Sequence, residues 1–287
     1  IRAINPQMYL TIETEIWPNL FRALQEKKIP IVIINGRISD TSDRNYQKIK
    51  YFIKDIVAKV DIFCMQSEMD ASRIINMGAL ENRVFVVGNV KFDNLPVKGR
   101  VERLSLGFAE NDFILLAGST HPQEEAIILD IYKDLVKQFP HLRLILAPRH
   151  IERVKEVRGI IHHYKYYPKL LTASPYPRLK DDEILLVDTV GQLRSMYALA
   201  DIVFVGKSLR CGGGQNMIEP VSFFKPTIVG PLTQNFRDVV SLLKRNEALI
   251  EVEDGDQLKK VIEGYLRDPQ SMTKIKEACR TAITSNQ

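Results

Sequence analysis

The chain has 287 residues, 45% hydrophobic and 26% charged, with a formal net charge of +5. This is the make-up of a soluble globular protein long enough for two compact domains, and the excess of positive charge is too small to argue for nucleic acid. Cys64, Cys211 and Cys279 lie far apart, with no metal-ligand spacing and no disulfide framework, which fits a reducing compartment, and no apolar run reaches the roughly 20 residues that cross a bilayer.

In chain order, residues 8–12 read as a strand, and residues 18–25 as a helix with Pro18 in its first turn. Residues 30–34 are a buried strand ending at Asn35-Gly36. Residues 43–60 carry the helical stripe Ile49, Phe52, Ile53, Ile56 and Val57. A strand at 61–65 leads to Ser67, which caps a helix running to Met77 and stopping at Gly78. A strand at 83–87 ends at Gly88-Asn89. Residues 93–105 then lose the alternation, with Asn94, Pro96 and Gly99 among charges, and a linker is placed over 96–110.

The alternation restarts with strands at 113–117 and 142–147 around a helix at 124–139. A helix begins at Ile151, a strand spans 184–187, and Asp188 to Gln192 open a helix that ends at Leu199. The apolar run 200–206, a glycine-rich turn at Gly212-Gly213-Gly214, a short helix to Phe224 and a strand at 226–231 follow. Helices over 256–267 and 269–283 close the chain. Two βα arrays predict two doubly wound domains with parallel sheets: residues 1–95, then 111–267, with a terminal helix at 268–287.

Ligands of such sheets bind beyond the carboxyl ends of the strands. Four polar loops of the second array fall there: Gly118-Ser119-Thr120-His121, Pro148-Arg149-His150, Asp188 to Gln192, and Gly212 to Glu219. The glycine turn is either an anion cradle at a helix N-terminus or only a flexible loop. Glu219 can take both hydroxyls of a ribose or balance the helix dipole. Arg149, directed by Pro148, suits a phosphate, whereas Arg149, Arg153, Lys155 and Arg158 together also read as a wet helix face.

In the first array, Glu13 and Glu15 face one side if the segment is extended, or else form an acid pair at a helix start. The sole tryptophan, Trp17, suggests a partly buried setting there. Asn35 to Asp40 either orders a cleft or caps the next helix. Lys91 is a hinge lysine that reaches a ligand or stays solvated. A phosphate-binding Gly-x-x-x-x-Gly-Lys loop, a Gly-x-Gly-x-x-Gly fingerprint and a second ligand set for His162-His163 are all missing from the sequence.

Taken together, Glu13-Thr14-Glu15-Ile16-Trp17-Pro18-Asn19, Asn35-Gly36-Arg37-Ile38-Ser39, Gly88-Asn89-Val90-Lys91-Phe92-Asp93, Gly118-Ser119-Thr120-His121, Pro148-Arg149-His150, Asp188-Thr189-Val190-Gly191-Gln192-Leu193 and Asn216-Met217-Ile218-Glu219-Pro220 resemble, in order, the motifs of 3-deoxy-D-manno-octulosonic acid (Kdo) transferases. The resemblance implies the GT-B architecture: two Rossmann-like doubly wound domains with a cleft between them, here with the first domain incomplete. It implies transfer of Kdo from CMP-Kdo to a lipid A precursor (lipid IVA), with inversion, without metal or cofactor and without nucleic acid. The reaction would take place at the cytoplasmic face of the bacterial inner membrane in lipopolysaccharide biosynthesis.

Carried over by residue, Glu13 and Lys91 stabilise the transition state. Pro148 and Arg149, then Val190, Gly191 and Gln192, then Asn216, Met217, Ile218 and Glu219, contact CMP, with Glu219 on the ribose. Gln192 and Gln215 depart from the family's usual glutamate and histidine. The family's general base and membrane-contacting part belong to an N-terminal segment. A start at Ile1 suggests that the natural protein extends upstream, and little turnover is expected from this stretch alone. The alternatives are another GT-B transferase or epimerase using a UDP-sugar, or a non-catalytic nucleotide-binding fragment.

Overall fold

The computed structural model describes residues 3–93, 102–176 and 178–286. It forms two units, Ile1–Lys91 and Phe92–Gln287.

The first unit carries β1 (Tyr9–Ile12), α1 (Pro18–Glu26), β2 (Ile31–Gly36), α2 (Asp40–Lys48), α3 (Lys50–Val57), β3 (Ile62–Met65), α4 (Glu68–Asn76) and β4 (Val84–Val86). Its strands pair in parallel in the order β1-β2-β3-β4. Ser67 caps α4 as the sequence suggests: its hydroxyl accepts the Asp70 N–H at 3.2 Å. Ser39 caps α2 in the same way, through the Ser42 N–H at 3.1 Å. The single helix expected over 43–60 is instead two, because Ile49 leaves helical geometry at φ −118°, ψ 26°.

The helices cover one face of this sheet. Ile31, Ile33, Phe63 and Met65 pack there with Phe21 and Leu24 of α1, Ile53 and Ile56 of α3 and Ile74 of α4. Side chains alternate across a strand, so Leu10, Ile12, Ile62 and Phe85 point the other way, and they are 40–60% exposed. A parallel sheet is normally covered on both faces; among the described residues this one is covered on one.

The second unit contains β5 (Phe113–Thr120), α5 (Glu124–Leu135), β6 (Leu142–Pro148), α6 (Val154–His163), β7 (Tyr167–Leu170), β8 (Glu183–Leu186), α7 (Leu193–Leu199), β9 (Ile202–Val205), α8 (Ile218–Ser222), β10 (Thr227–Val229), α9 (Arg237–Arg245), β11 (Ile250–Glu251), α10 (Gly255–Arg267) and α11 (Met272–Thr284). Seven parallel strands run in the order β11-β10-β9-β5-β6-β8-β7. Apolar layers fill both faces. One joins Leu115, Leu144 and Phe204 to α5, α6 and α10; the other joins Leu116, Val203 and Val229 to α7, α8, α9 and α11. The chain builds outward from β5 in one direction through β6 and in the other through β9. The β5/β9 junction is therefore the topological switch point of the sheet, where ligands of doubly wound folds bind.

The expected linker over 96–110 is corrected in part. Residues 96–101 lie outside the described residues, whereas Leu106 and Phe108 are buried in the core of the second unit, as is Phe92. Ile275, Cys279 and Ala282 of the terminal helix α11 belong to that same core. Strands β7 and β11 and helix α9 were not expected from the sequence. The strands are short, at 4 and 2 residues, and the α9 stripe Val239, Val240 and Leu243 is a brief one flanked by charges at both ends.

Candidate functional site

At the end of β1 the chain turns sharply. Glu13 adopts φ +61°, a left-handed conformation, so Glu13 and Glu15 do not share the face of an extended segment. Nor do they occupy the first turn of α1, which holds no acid. Both readings of the pair from local sequence are thus corrected. Thr14 fixes the turn instead: its hydroxyl donates to the Arg37 carbonyl and accepts the Arg37 N–H at 3.0 Å. Glu13, Glu15, Arg37, Ser39 and Tyr46 line a small cavity of about 200 Å³. Burial, and then the Glu15 charge, raises the Tyr46 phenol above its ordinary pKa. Trp17 is 57% exposed, not partly buried.

Asn35 is buried, with φ +52°, at the end of β2. Its side-chain oxygen accepts the Val90 N–H at 3.2 Å, and its carbonyl accepts from Gln66 Nε2 at 2.9 Å. Gln66 in turn accepts from Asn89 Nδ2 at 3.1 Å, and the Asn89 side chain accepts the Lys91 N–H at 3.1 Å. This relay pins the Gly88-to-Lys91 turn to the sheet. Lys91 Nζ then lies 3.6 Å from Glu13 Oε1, with both side chains partly exposed. The structure thus brings the two expected catalytic residues together within the first unit.

In the second unit, Ser119, Pro148, Arg149, Val190 and Gly191 line a depression of about 110 Å³. It lies at the carboxyl ends of β5, β6 and β8, drawing on three of the four loops read from sequence. The Arg149 N–H donates to the Thr120 carbonyl at 3.0 Å, which holds the β6 loop against the β5 loop. The exposed Arg149 guanidinium has no hydrogen bond or ion pair among the described residues. Val190 is 79% exposed, and Gln192, also exposed, lies outside the lining at the start of α7.

The third expected segment, Asn216 to Glu219, does not line the depression. Met217 and Ile218 are core side chains, so their expected role as contacts is corrected to whatever their backbone offers. The Asn216 side chain accepts the Ile218 N–H at 3.2 Å. Glu219 is half-buried. Desolvation raises its carboxyl pKa above the usual range, and the nearby Arg194 charge offsets part of that rise. The anion-cradle reading of the glycine turn is also corrected. The Gly213 N–H donates to the Leu232 carbonyl and to Gln234 Oε1, both at 2.9 Å, and the Gly214 N–H donates to the Lys207 carbonyl at 2.9 Å. These donors are consumed within the fold. Glycine is required there because Gly213 sits at φ +118° with the Asn235 side chain 2.8 Å from where a Cβ would be.

The basic stretch after Arg149 is only partly a wet face. Arg153 reaches the fully buried Glu125 carboxylate at 2.7 Å and also pairs with Glu156. Glu124 and Glu125 stand in the first turn of α5, where acids ordinarily balance the helix dipole. They are buried hydrogen-bond hubs, and spacing alone does not reveal the partners, which lie up to 85 residues away. His121 is buried beside His150, with ring centroids 5.6 Å apart, and burial lowers its pKa. A wider groove of about 700 Å³ runs along α9 from Thr233 to Arg245. It holds none of the expected residues and is lined mainly by α9, whereas the smaller depression gathers three of the polar loops beside the switch point and is the better candidate. Among the described residues no group of three or more His, Cys, Asp or Glu could hold a metal ion.

Residues 1–94 match the family model described as 3-deoxy-D-manno-octulosonic-acid transferase (kdotransferase). Over 290 residues the chain is 30% identical to the 3-deoxy-D-manno-octulosonic acid transferase of Haemophilus influenzae, covering all of this chain and 68% of that protein. The chain belongs to the Kdo transferase family. It is also 35% identical, over 96% of its length, to a bifunctional glycosyltransferase/methyltransferase of Fusobacterium nucleatum, of which it covers 43%. Among solved structures it resembles the C-terminal CMP-Kdo binding domain of WaaA from Acinetobacter baumannii, with 29% identity and a TM-score of 0.57 over 61% of this chain and 90% of that one. The GT-B fold of this Kdo transferase family member follows from that likeness and from the two parallel sheets. The chain spans about 43–68% of the length of the first curated relatives it matches.

Proposed function

We propose that the chain binds CMP-Kdo through its second unit and serves in Kdo transfer to a lipid A precursor, lipid IVA, in lipopolysaccharide biosynthesis. The observation that carries this reading is the likeness to a CMP-Kdo binding domain, together with the Arg149 depression. In the reaction, the bond between the Kdo anomeric carbon and the CMP phosphate oxygen breaks, and its electron pair leaves with CMP. An acceptor hydroxyl forms the new bond from the opposite face, inverting the centre, and gives its proton to a base outside the residues assigned here. Arg149 balances the charge growing on the leaving phosphate, with no metal required. Glu219 holds the ribose hydroxyls. Glu13 and Lys91 stabilise the separating charges of the transition state. The acceptor places the reaction at the cytoplasmic face of the inner membrane; among the described residues no helix is long and apolar enough to cross one.

Calorimetric titration tests the donor. Binding of CMP with UDP silent is the expected result. Binding of UDP with CMP silent would replace the reading with a UDP-sugar enzyme. CMP binding without any transfer, once an upstream base-bearing segment is supplied, would make the chain a nucleotide-binding module.

A further inference from the structure

The two loops at the β5/β9 switch point meet on one side chain. Glu124 opens α5 and is 0% exposed. Its Oε2 accepts the His121 N–H at 3.0 Å and the Lys207 N–H at 2.8 Å. Its Oε1 accepts the Ser208 N–H at 2.9 Å and the Leu209 N–H at 3.0 Å. A buried carboxylate is expensive unless its oxygens are fully bonded; here four backbone donors from two separate loops do so. The approach is so close that a Cβ on Gly206 would lie 2.5 Å from the Ser119 carbonyl oxygen and 2.7 Å from Glu124 Oε2.

Each loop continues into the expected donor machinery. From His121 the chain runs back to Ser119, which lines the Arg149 depression. From Lys207, whose N–H is held by Glu124, the carbonyl receives the Gly214 N–H, two residues before Asn216. The depression and the Asn216–Glu219 segment do not share a lining, so something must set their relation. Glu124 links the loops that carry them directly, through four hydrogen bonds of 2.8–3.0 Å.

We propose that Glu124 is a positioning residue for the donor site: it locks the β5 loop to the β9 loop, so that the phosphate side and the ribose side are held as one unit. This rests on the CMP-Kdo reading for the identity of the ligand, but the locking itself does not. Glu124→Gln keeps the shape and replaces one acceptor oxygen by an N–H₂ group facing backbone donors.

Hydrogen exchange and calorimetry test it on the whole chain. In E124Q the amides of His121 and of Lys207, Ser208 and Leu209 are expected to exchange at least about tenfold faster in both loops, as lost buried hydrogen bonds require, while β6 and β8 keep their protection. CMP affinity falls about tenfold. Leu258→Ala, in the core layer of α10, is the control: it loses stability but binds CMP as the parent does. If E124Q does not fold, Glu124→Asp, one methylene short, is read by the same two measurements. Loosening of one loop alone, or of neither, overturns the proposal, as does an affinity in E124Q equal to that of L258A. Loosening of both loops in a chain whose parent form ignores CMP leaves the locking standing and defeats the donor assignment instead.

Discussion

Lys91 Nζ and Glu13 Oε1 stand 3.6 Å apart beyond the carboxyl ends of the first unit's strands. Both side chains are partly exposed to solvent, so the pair contributes little to folding: ion pairs at a surface are worth about 0–1 kcal/mol. Glu13→Gln and Lys91→Met should therefore each leave the thermal midpoint nearly unchanged. With a base-bearing upstream segment appended, each should lower Kdo transfer by about 10²-fold or more, the scale of a lost charge-stabilising group. A large drop in midpoint would show that the pair is architectural instead.

Arg149 and Glu219 give a binding prediction. Arg149→Ala and Glu219→Gln should each weaken CMP binding by about 1–3 kcal/mol, the range for hydrogen bonds to charged groups. Titration calorimetry reads this directly, and unchanged affinity in both variants would move the site elsewhere.

Glu219 also sets a pH dependence. Burial raises its pKa in the folded protein above the ordinary glutamate value. Between the two values the folded state retains a proton that the unfolded state has released, so this group lowers stability as pH rises through that window. Glu219→Gln should raise stability at neutral pH and flatten that part of the curve, as denaturant midpoints across pH would show.

Lys225 has the opposite sign. Burial lowers its ammonium pKa to about 8, with Asp201 opposing the shift. Between about 8 and the ordinary lysine value the unfolded state binds the extra proton, so stability rises with pH there. Below that window the buried charge is a standing cost. Lys225→Met should stabilise the protein at pH 7 by about 1–3 kcal/mol and remove the alkaline gain.

Arg153 is tied to folding. Removing it leaves Glu125, fully buried, with the Thr120 hydroxyl at 2.9 Å as its one remaining hydrogen-bond partner among the described residues. Arg153→Met should cost about 3 kcal/mol, the scale for stranding a buried charge. Chemical denaturation measures it.

Sequence legibility divided along physical lines. The Ser67 cap, the β5 and β6 strands and the loops around Arg149 follow from local pattern, because capping and apolar runs act within a few residues. The break at Ile49 was hidden because no proline or glycine marks it, and the polar run of α2 passes straight into the apolar stripe of α3. The spent donors of Gly213 and Gly214 were hidden because a glycine turn looks the same whether its N–H groups face a ligand or the chain. Glu124 and Glu125 looked like any helix-start acids; their meaning lies in amides and a guanidinium that only the folded topology brings near.

Leu10, Ile12, Ile62 and Phe85 give the first unit a hydrocarbon ledge in contact with water. A ledge of that kind governs how the molecule behaves in a tube. Ammonium sulfate should drive the chain out of solution early, mild detergent should keep it dispersed, and one lysine placed at Leu10 should raise the soluble yield without touching nucleotide recognition.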